Sequence, residues 1–233
     1  MKYIYLTIVL LLMPACSVIE DEKQKVQFDY AQDKKQLSYT GPLTLEDVEA
    51  ALRLVGDRPI ESLSISSVGG FTDAGMRLGY WVFNNQISVT VRDICASSCA
   101  NYVFTAAKRR IIRPNTVIAW HGGALQNDWE IPWYISEDKA ANMLEQWRFE
   151  EQDFFTMIGV NQLITVIGQR SPYKAQVPSG NWTYDQQSLV LLGVGEIEFA
   201  DNIVTDNSIT QEMKMQVTRL TINQQQLDTL QEN

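Results

Sequence analysis

Two serines stand between two cysteines in the stretch "VRDICASSCANYVF", residues 91–104. A serine hydroxyl becomes a useful nucleophile when a base takes its proton, and that base is most often a histidine within hydrogen-bond reach. This chain has one histidine, His121. The oxyanion formed on attack needs preorganised N–H donors, commonly one from the residue after the serine and one from a glycine loop. Gly69-Gly70 offers such a loop. On residue type and spacing alone, Ser97 and Ser98 are equal candidates for the hydroxyl. The bland readings stand beside this one: a serine as an N-cap, a glycine pair as a turn, a lone histidine as a satisfied structural residue. Cys95 and Cys99 also have two readings. Four residues apart on a helix, their Cα atoms would lie about 6 Å from each other, within disulfide range. Otherwise they are two buried thiols that pack as small apolar groups.

The elements that must position these residues can be read from patterning. "VQFDYAQDKKQLSYTG" alternates apolar and polar residues on either side of "QDKK", as a hairpin does. "TLEDVEAALRLV" predicts a helix capped by Thr44, with Val48, Leu52 and Val55 on one face. "IESLSISS" reads as a strand running into Gly69-Gly70, and a helix follows over about Thr72 to Asn84. Gly75 and Gly79 on that helix allow close packing against a sheet. "ISVTV" is a strand leading to the serines, residues 98–107 read as helical, and "TVIAWH" is a strand ending on His121. Alternating strands and helices with short connections indicate parallel β-α-β units. Functional residues in such sheets gather at the carboxyl ends of strands. Three segments that end strands carry Gly69-Gly70, the serine pair and His121.

Further on, "SEDKAANMLEQWRFEEQDFFTMIG" reads as one long helix capped by Ser136. Its Ala140, Met143, Leu144, Trp147, Phe154 and Phe155 face is too apolar to be solvated all round, so it packs on the domain or on another subunit. A shorter helix is expected at about Asn161 to Gln169, then a loop through "SPYKAQVPSGNW" and a capped helix in "DQQSLVLLG". "EMKMQVTRLTI" reads as a late strand and the Gln-rich tail as frayed. Trp120, Trp129, Trp133 and Trp147 are expected in core and helix packing, with "DWEIPWY" as an alternative groove lining.

The ends and the composition set bounds. "MKYIYLTIVLLLMPACS" has one lysine and then an apolar run too short to span a bilayer, as an export signal does. Met13-Pro14-Ala15-Cys16 resembles a bacterial lipobox with Cys16 as the lipidated residue; the alternative is an ordinary signal peptide. The expected organisation is a signal over 1–15, a charged tether over 16–25 and a single domain over 26–233. A lipid on Cys16 implies the periplasmic side of the cell envelope, anchored in the outer membrane. A net charge of −9 without a basic block argues against nucleic acid as partner. A single histidine excludes any multi-histidine zinc site.

Three of these stretches, in order, resemble one family. "LSISSVGGFTDAGM" looks like the strand–glycine-loop–helix element of the Clp protease proteolytic subunit, in the crotonase-like superfamily. "ICASSCA" is similar to that family's nucleophile turn, and "KRRIIRPNTVIAWH" resembles its basic Pro-Asn segment ending on the catalytic histidine. The resemblance implies an α/β fold of stacked β-α-β units. In it, the sheet is mostly parallel, helices pack outside, and a handle helix protrudes, here over about 136–158. It assigns Ser97 as nucleophile, His121 as general base, and the N–H groups of Gly70 and Ser98 as oxyanion hole. Neither metal nor cofactor is implied.

The third triad position departs from the family's aspartate. Asn181 falls there, and Asp185, one helical turn later, reads more simply as the N-cap of the final helix. Asparagine can hold an imidazole tautomer but cannot stabilise the imidazolium as a carboxylate does. The resemblance therefore implies a membrane-anchored periplasmic serine hydrolase of peptidase type, acting on polypeptide and forming a homo-oligomer. The alternative is a weak or inactive module of the same fold that binds peptide or protein. A Ser–Lys dyad is disfavoured, because Lys108, Lys139 and Lys174 fall in polar stretches.

Overall fold

The computed structural model describes residues 26–127, 133–199 and 216–232. The expected signal, the Cys16 anchor, the tether and Trp129 lie outside the described residues. Within them the chain is an α/β protein built on a mostly parallel sheet. Strands β1 (Gln27–Ala31) and β2 (Gln36–Thr40) form the expected antiparallel hairpin. Helix α1 (Leu45–Val55) begins at Thr44, whose side chain accepts from the Asp47 N–H at 3.1 Å, and it buries Val48, Ala51, Leu52 and Val55. Such a cap is worth about 1 kcal/mol.

Strand β3 (Ser62–Ser67) lies parallel to β2, helix α2 (Thr72–Asn84) crosses over, and β4 (Ser88–Ala96) lies parallel to β3. Two further strands pair with β4. Strand β5 (Arg109–Ile112) takes its first half, Ser88 to Val91, and β6 (Val117–Ala119) takes Ile94 to Ala96. The change of partner falls at Arg92 and Asp93, where the β3–β4 register also shifts. Arg92 secures this bend by donating to the Tyr39 carbonyl at 2.9 Å and to Thr40 Oγ1. Strand β5 was hidden in the sequence by its charges. The run "KRRII" reads as surface, yet strand alternation turns Arg110 inward, 5% exposed, where it donates to the carbonyls of Phe104, Thr105 and Gly195.

Between β4 and β5 the expected helix is a π-helical turn, Cys99–Phe104, buried at every residue. The Gly75 and Gly79 face of helix α2, expected against a sheet, packs on this turn. A β-carbon on Gly75 would sit 2.8 Å from Ser98 Cβ, and one on Gly79 2.6 Å from the Tyr102 carbonyl oxygen.

The long helix α3 (Glu137–Ile158) follows, capped by Ser136. It packs on the domain through Trp147, Glu151, Phe154 and Phe155, whereas Met143 and Phe149 are exposed. The expected helix over 161–169 is two 3₁₀ turns, Gln162–Thr165 and Ile167–Gln169. Then come β7 (Trp182–Tyr184) and α4 (Gln186–Leu191), capped by Asp185, which accepts from the Ser188 N–H at 2.8 Å. Strand β8 (Ile197–Phe199) extends the main sheet beyond β5, and β9 (Thr218–Leu220) pairs with β7. The Gln-rich tail is not frayed over 224–232. It forms α5 (Gln224–Glu232), which buries Leu227 and Leu230. The side chains of Asn223 and Gln226 cap each other's backbone N–H, a reciprocal arrangement that favours the helix start.

Candidate functional site

Adjacent strands β3, β4 and β6 end together, and their ends carry the three sequence features. Register fixes the alignment: Cys95 lies beside Ile118 and Ala96 beside Ala119. Ser97 is therefore one residue past the last paired position of β4, and His121 two past that of β6. The Ser97 N–H still donates to the Ala119 carbonyl at 3.0 Å, which ties the Ser97 turn to the strand that delivers the histidine. The outcome is a 2.7 Å contact between Ser97 Oγ and His121 Nε2. Of two serines that the sequence could not separate, Ser97 holds the hydroxyl beside the imidazole. Ser98 is buried, and its Oγ has no partner among the described residues.

Ser97 has φ +55°, a left-handed conformation that non-glycine residues adopt at a cost of roughly 1–3 kcal/mol. Such a sharp strand-to-helix turn lifts the hydroxyl off the sheet. The strain is held from two sides. Cys95 and Cys99 form a disulfide across the turn, with Cα atoms 5.2 Å apart, which decides between the two readings of the pair. From the other side the glycine turn presses in: a β-carbon on Gly69 would stand 2.7 Å from Ser97 Cβ and 2.9 Å from the Ser98 nitrogen. Gly70 is next in the same turn and bridges to Leu43. Ser98 N–H opens the π-helical turn, where a first-turn donor lacks an intrahelical acceptor.

His121 is exposed on one side while the surrounding chain desolvates the other. That desolvation lowers its pKa below the ordinary histidine value, with the residue's own carbonyl pulling in the opposite direction. The neutral ring is the form that can accept a proton from Ser97. Behind the ring the expected third member is not in place. Trp120 and Trp182 exchange backbone hydrogen bonds of 2.8 and 2.9 Å, so His121 and Asn181 each stand one residue beyond that bridge. The Asn181 side chain, however, donates to the Ser179 carbonyl at 3.2 Å. Among the described residues no side chain bonds to His121 Nδ1. Asn181 is the neighbour of His121 beside that bridge, but its short side chain closes a local turn instead.

Other residues hold the segment after His121, and the sequence reading missed them. Gln169 Nε2 donates to the His121 carbonyl at 2.8 Å and Asn101 Nδ2 to the Gly122 carbonyl at 2.9 Å. The Ala124 N–H donates to Glu151 Oε2 at 3.0 Å, and Arg148 Nε donates to the Ala124 carbonyl at 3.0 Å. Glu151 is fully buried and also accepts from Tyr102 OH and Gln162 Nε2, both at 2.8 Å. Burial raises its pKa, against the pull of these donors. A signal for Glu151 existed, since position 151 continues the i, i+4, i+7, i+8 spacing of Trp147, Phe154 and Phe155.

The remaining expected residues lie elsewhere. Lys108, Lys139 and Lys174 are exposed. Trp120 is in the core and Trp147 half-buried, whereas Trp133 and Tyr134 are exposed and unlike core packing. No protein-family model matches the chain, and no curated protein matches it. The site is an imidazole in hydrogen-bond contact with a strained, disulfide-braced serine, beside a glycine turn.

Proposed function

We propose that this protein is a serine hydrolase of peptidase type, with a fold like that of the Clp protease proteolytic subunit. The observation that carries the reading is the 2.7 Å Ser97 Oγ to His121 Nε2 contact at the shared end of two parallel strands. Ser97 Oγ attacks the substrate carbonyl carbon as His121 Nε2 takes its proton. The N–H groups of Gly70 and Ser98 receive the oxyanion. The tetrahedral species collapses as His121 returns the proton to the leaving amine, which departs and leaves an acyl ester on Ser97. Water then attacks that ester with His121 again as base, releasing the acid and restoring the hydroxyl.

The wider reading places the enzyme on the periplasmic side of a bacterial envelope, tethered through Cys16. The Cys95–Cys99 disulfide supports an oxidising compartment. Self-association through α3 is supported by its exposed Met143, Phe149 and Met157. A monomeric mass by light scattering on the delipidated chain would remove that part. A second reading, peptide binding without turnover, is favoured by the Asn181 side chain turning to Ser179.

A fluorophosphonate probe separates the two. The hydrolase reading expects one covalent adduct on the wild-type chain, by intact mass, and none on Ser97→Ala. Equal labelling of both, or of neither, would sink it and leave the binding reading.

A further inference from the structure

In a Ser–His pair the ring is ordinarily oriented by a third side chain at the far nitrogen. Among the described residues His121 Nδ1 has no such side-chain partner, yet the ring sits in productive contact with Ser97. Its orientation must then come from the backbone that carries it. That backbone leaves β6 as His121-Gly122, a glycine-containing exit with little rigidity of its own. Two consecutive carbonyls on it are each held by a carboxamide: that of His121 by Gln169 and that of Gly122 by Asn101.

Asn101 has a second attachment. Its backbone N–H donates to the Ser97 carbonyl at 2.8 Å. One residue thus grips the nucleophile through its main chain and the base segment through its side chain. The amide is only half satisfied: Asn101 is 3% exposed, and its Oδ1 has no partner among the described residues. Burying an unpaired acceptor is costly, and buried unsatisfied groups in native folds call for an explanation. An apolar residue would fill this site without that cost, and the Nδ2 bond to the Gly122 carbonyl offsets part of it.

We propose that Asn101 and Gln169 are positioning residues, which set the His121 imidazole by clamping the two carbonyls at its own peptide and the next. The inference rests on the Ser–His hydrolase reading. A displacement of the base by about 1 Å is enough to cost roughly 100-fold in rate, so loosening either clamp reaches the chemistry without touching substrate.

The test uses Asn101→Ala and Gln169→Ala in the full chain, with two readouts. The first is the second-order rate of fluorophosphonate labelling. The second is the imidazole resonance set of His121, which needs no assignment because the chain has one histidine. The expected result is labelling slowed about tenfold or more by Asn101→Ala and several-fold by Gln169→Ala. In both variants the imidazole signals shift or broaden while the urea midpoint shows a folded chain. A purely structural role would lower the urea midpoint and leave the ring signals in place. Labelling within twofold of wild type, with unchanged imidazole signals in a folded variant, overturns the proposal. Gln169 is half-exposed, so its variant decides the matter if Asn101→Ala does not fold. If the wild-type chain takes no label, the hydrolase reading has failed. The imidazole signals then decide the positioning role alone: altered signals support it and unaltered ones overturn it.

Discussion

Gly69 and Ser97 are in contact across the ends of two neighbouring strands, so closely that a β-carbon on Gly69 would stand 2.7 Å from Ser97 Cβ. It would also meet the Ala96 carbonyl oxygen at 2.5 Å and the Ser98 nitrogen at 2.9 Å, both main-chain atoms that cannot swing aside. The glycine turn is therefore a wall of the turn that carries Ser97.

Gly69→Ala is predicted to displace Ser97 and to strain the backbone at once, since Gly69 has φ +92°. The strain alone costs roughly 1–3 kcal/mol. Gly159→Ala separates the two effects. Gly159 also has positive φ, +70°, but its added β-carbon meets nothing within 4 Å. The expected outcome is that both variants lose stability in urea, and only Gly69→Ala also loses phosphonate labelling. Labelling of Gly69→Ala at the wild-type rate would show that the turn does not shape the site.

The His121 pKa yields a second prediction, with a definite sign. Desolvation lowers it, so the ring is neutral down to a pH below the ordinary histidine value of about 6.5. Only the neutral ring can take the Ser97 proton. Labelling should be absent in acid, rise through a midpoint below about 6.5, and stay level above it. The histidine resonances should titrate with the same midpoint. A carboxylate behind the ring would stabilise the imidazolium and push the midpoint up. A midpoint above 6.5 would therefore contradict a desolvated ring and restore a charged third member.

What was legible in advance follows from period and punctuation. Strand ends at Gly69, Ser97 and His121 stood out because apolar β-branched runs stop there and short connections follow. The pairing that joins them was not legible. It depends on β4 changing partner from β5 to β6 at Arg92 and Asp93, which lie past the end of the apolar "ISVTV" run. Strand β5 escaped because an inward arginine looks like a surface arginine until its carbonyl acceptors are known. Asn101, Gln169 and Glu151 escaped for a related reason: each is polar and meets a main-chain atom 21 to 48 residues away, invisible to any local window. For Asn101 and Gln169 those separations are 21 and 48 residues. For Asn181 the resemblance locates a backbone position and says nothing about where a short side chain turns.

The disulfide carries the last prediction. Cys95 and Cys99 flank Ser97 symmetrically, two residues to each side, and both are fully buried. Closing so short a loop constrains the unfolded chain by only about 2 kcal/mol. Its larger effect should be local, because Ser97 must hold φ +55° against a relaxation toward ordinary strand or helix geometry. The double variant Cys95→Ala, Cys99→Ala is expected to lose about 2 kcal/mol or somewhat more in urea, the excess reflecting the sulfur atoms removed from the core. Its labelling rate should fall by roughly tenfold or more, as the hydroxyl leaves the imidazole. A variant that loses the stability and keeps the rate would mean that the glycine turn and the Asn101 N–H suffice to hold the serine. The bond would then serve the fold alone. A loss of both would make the bond part of the site, through a pair of sulfurs that never approach the substrate.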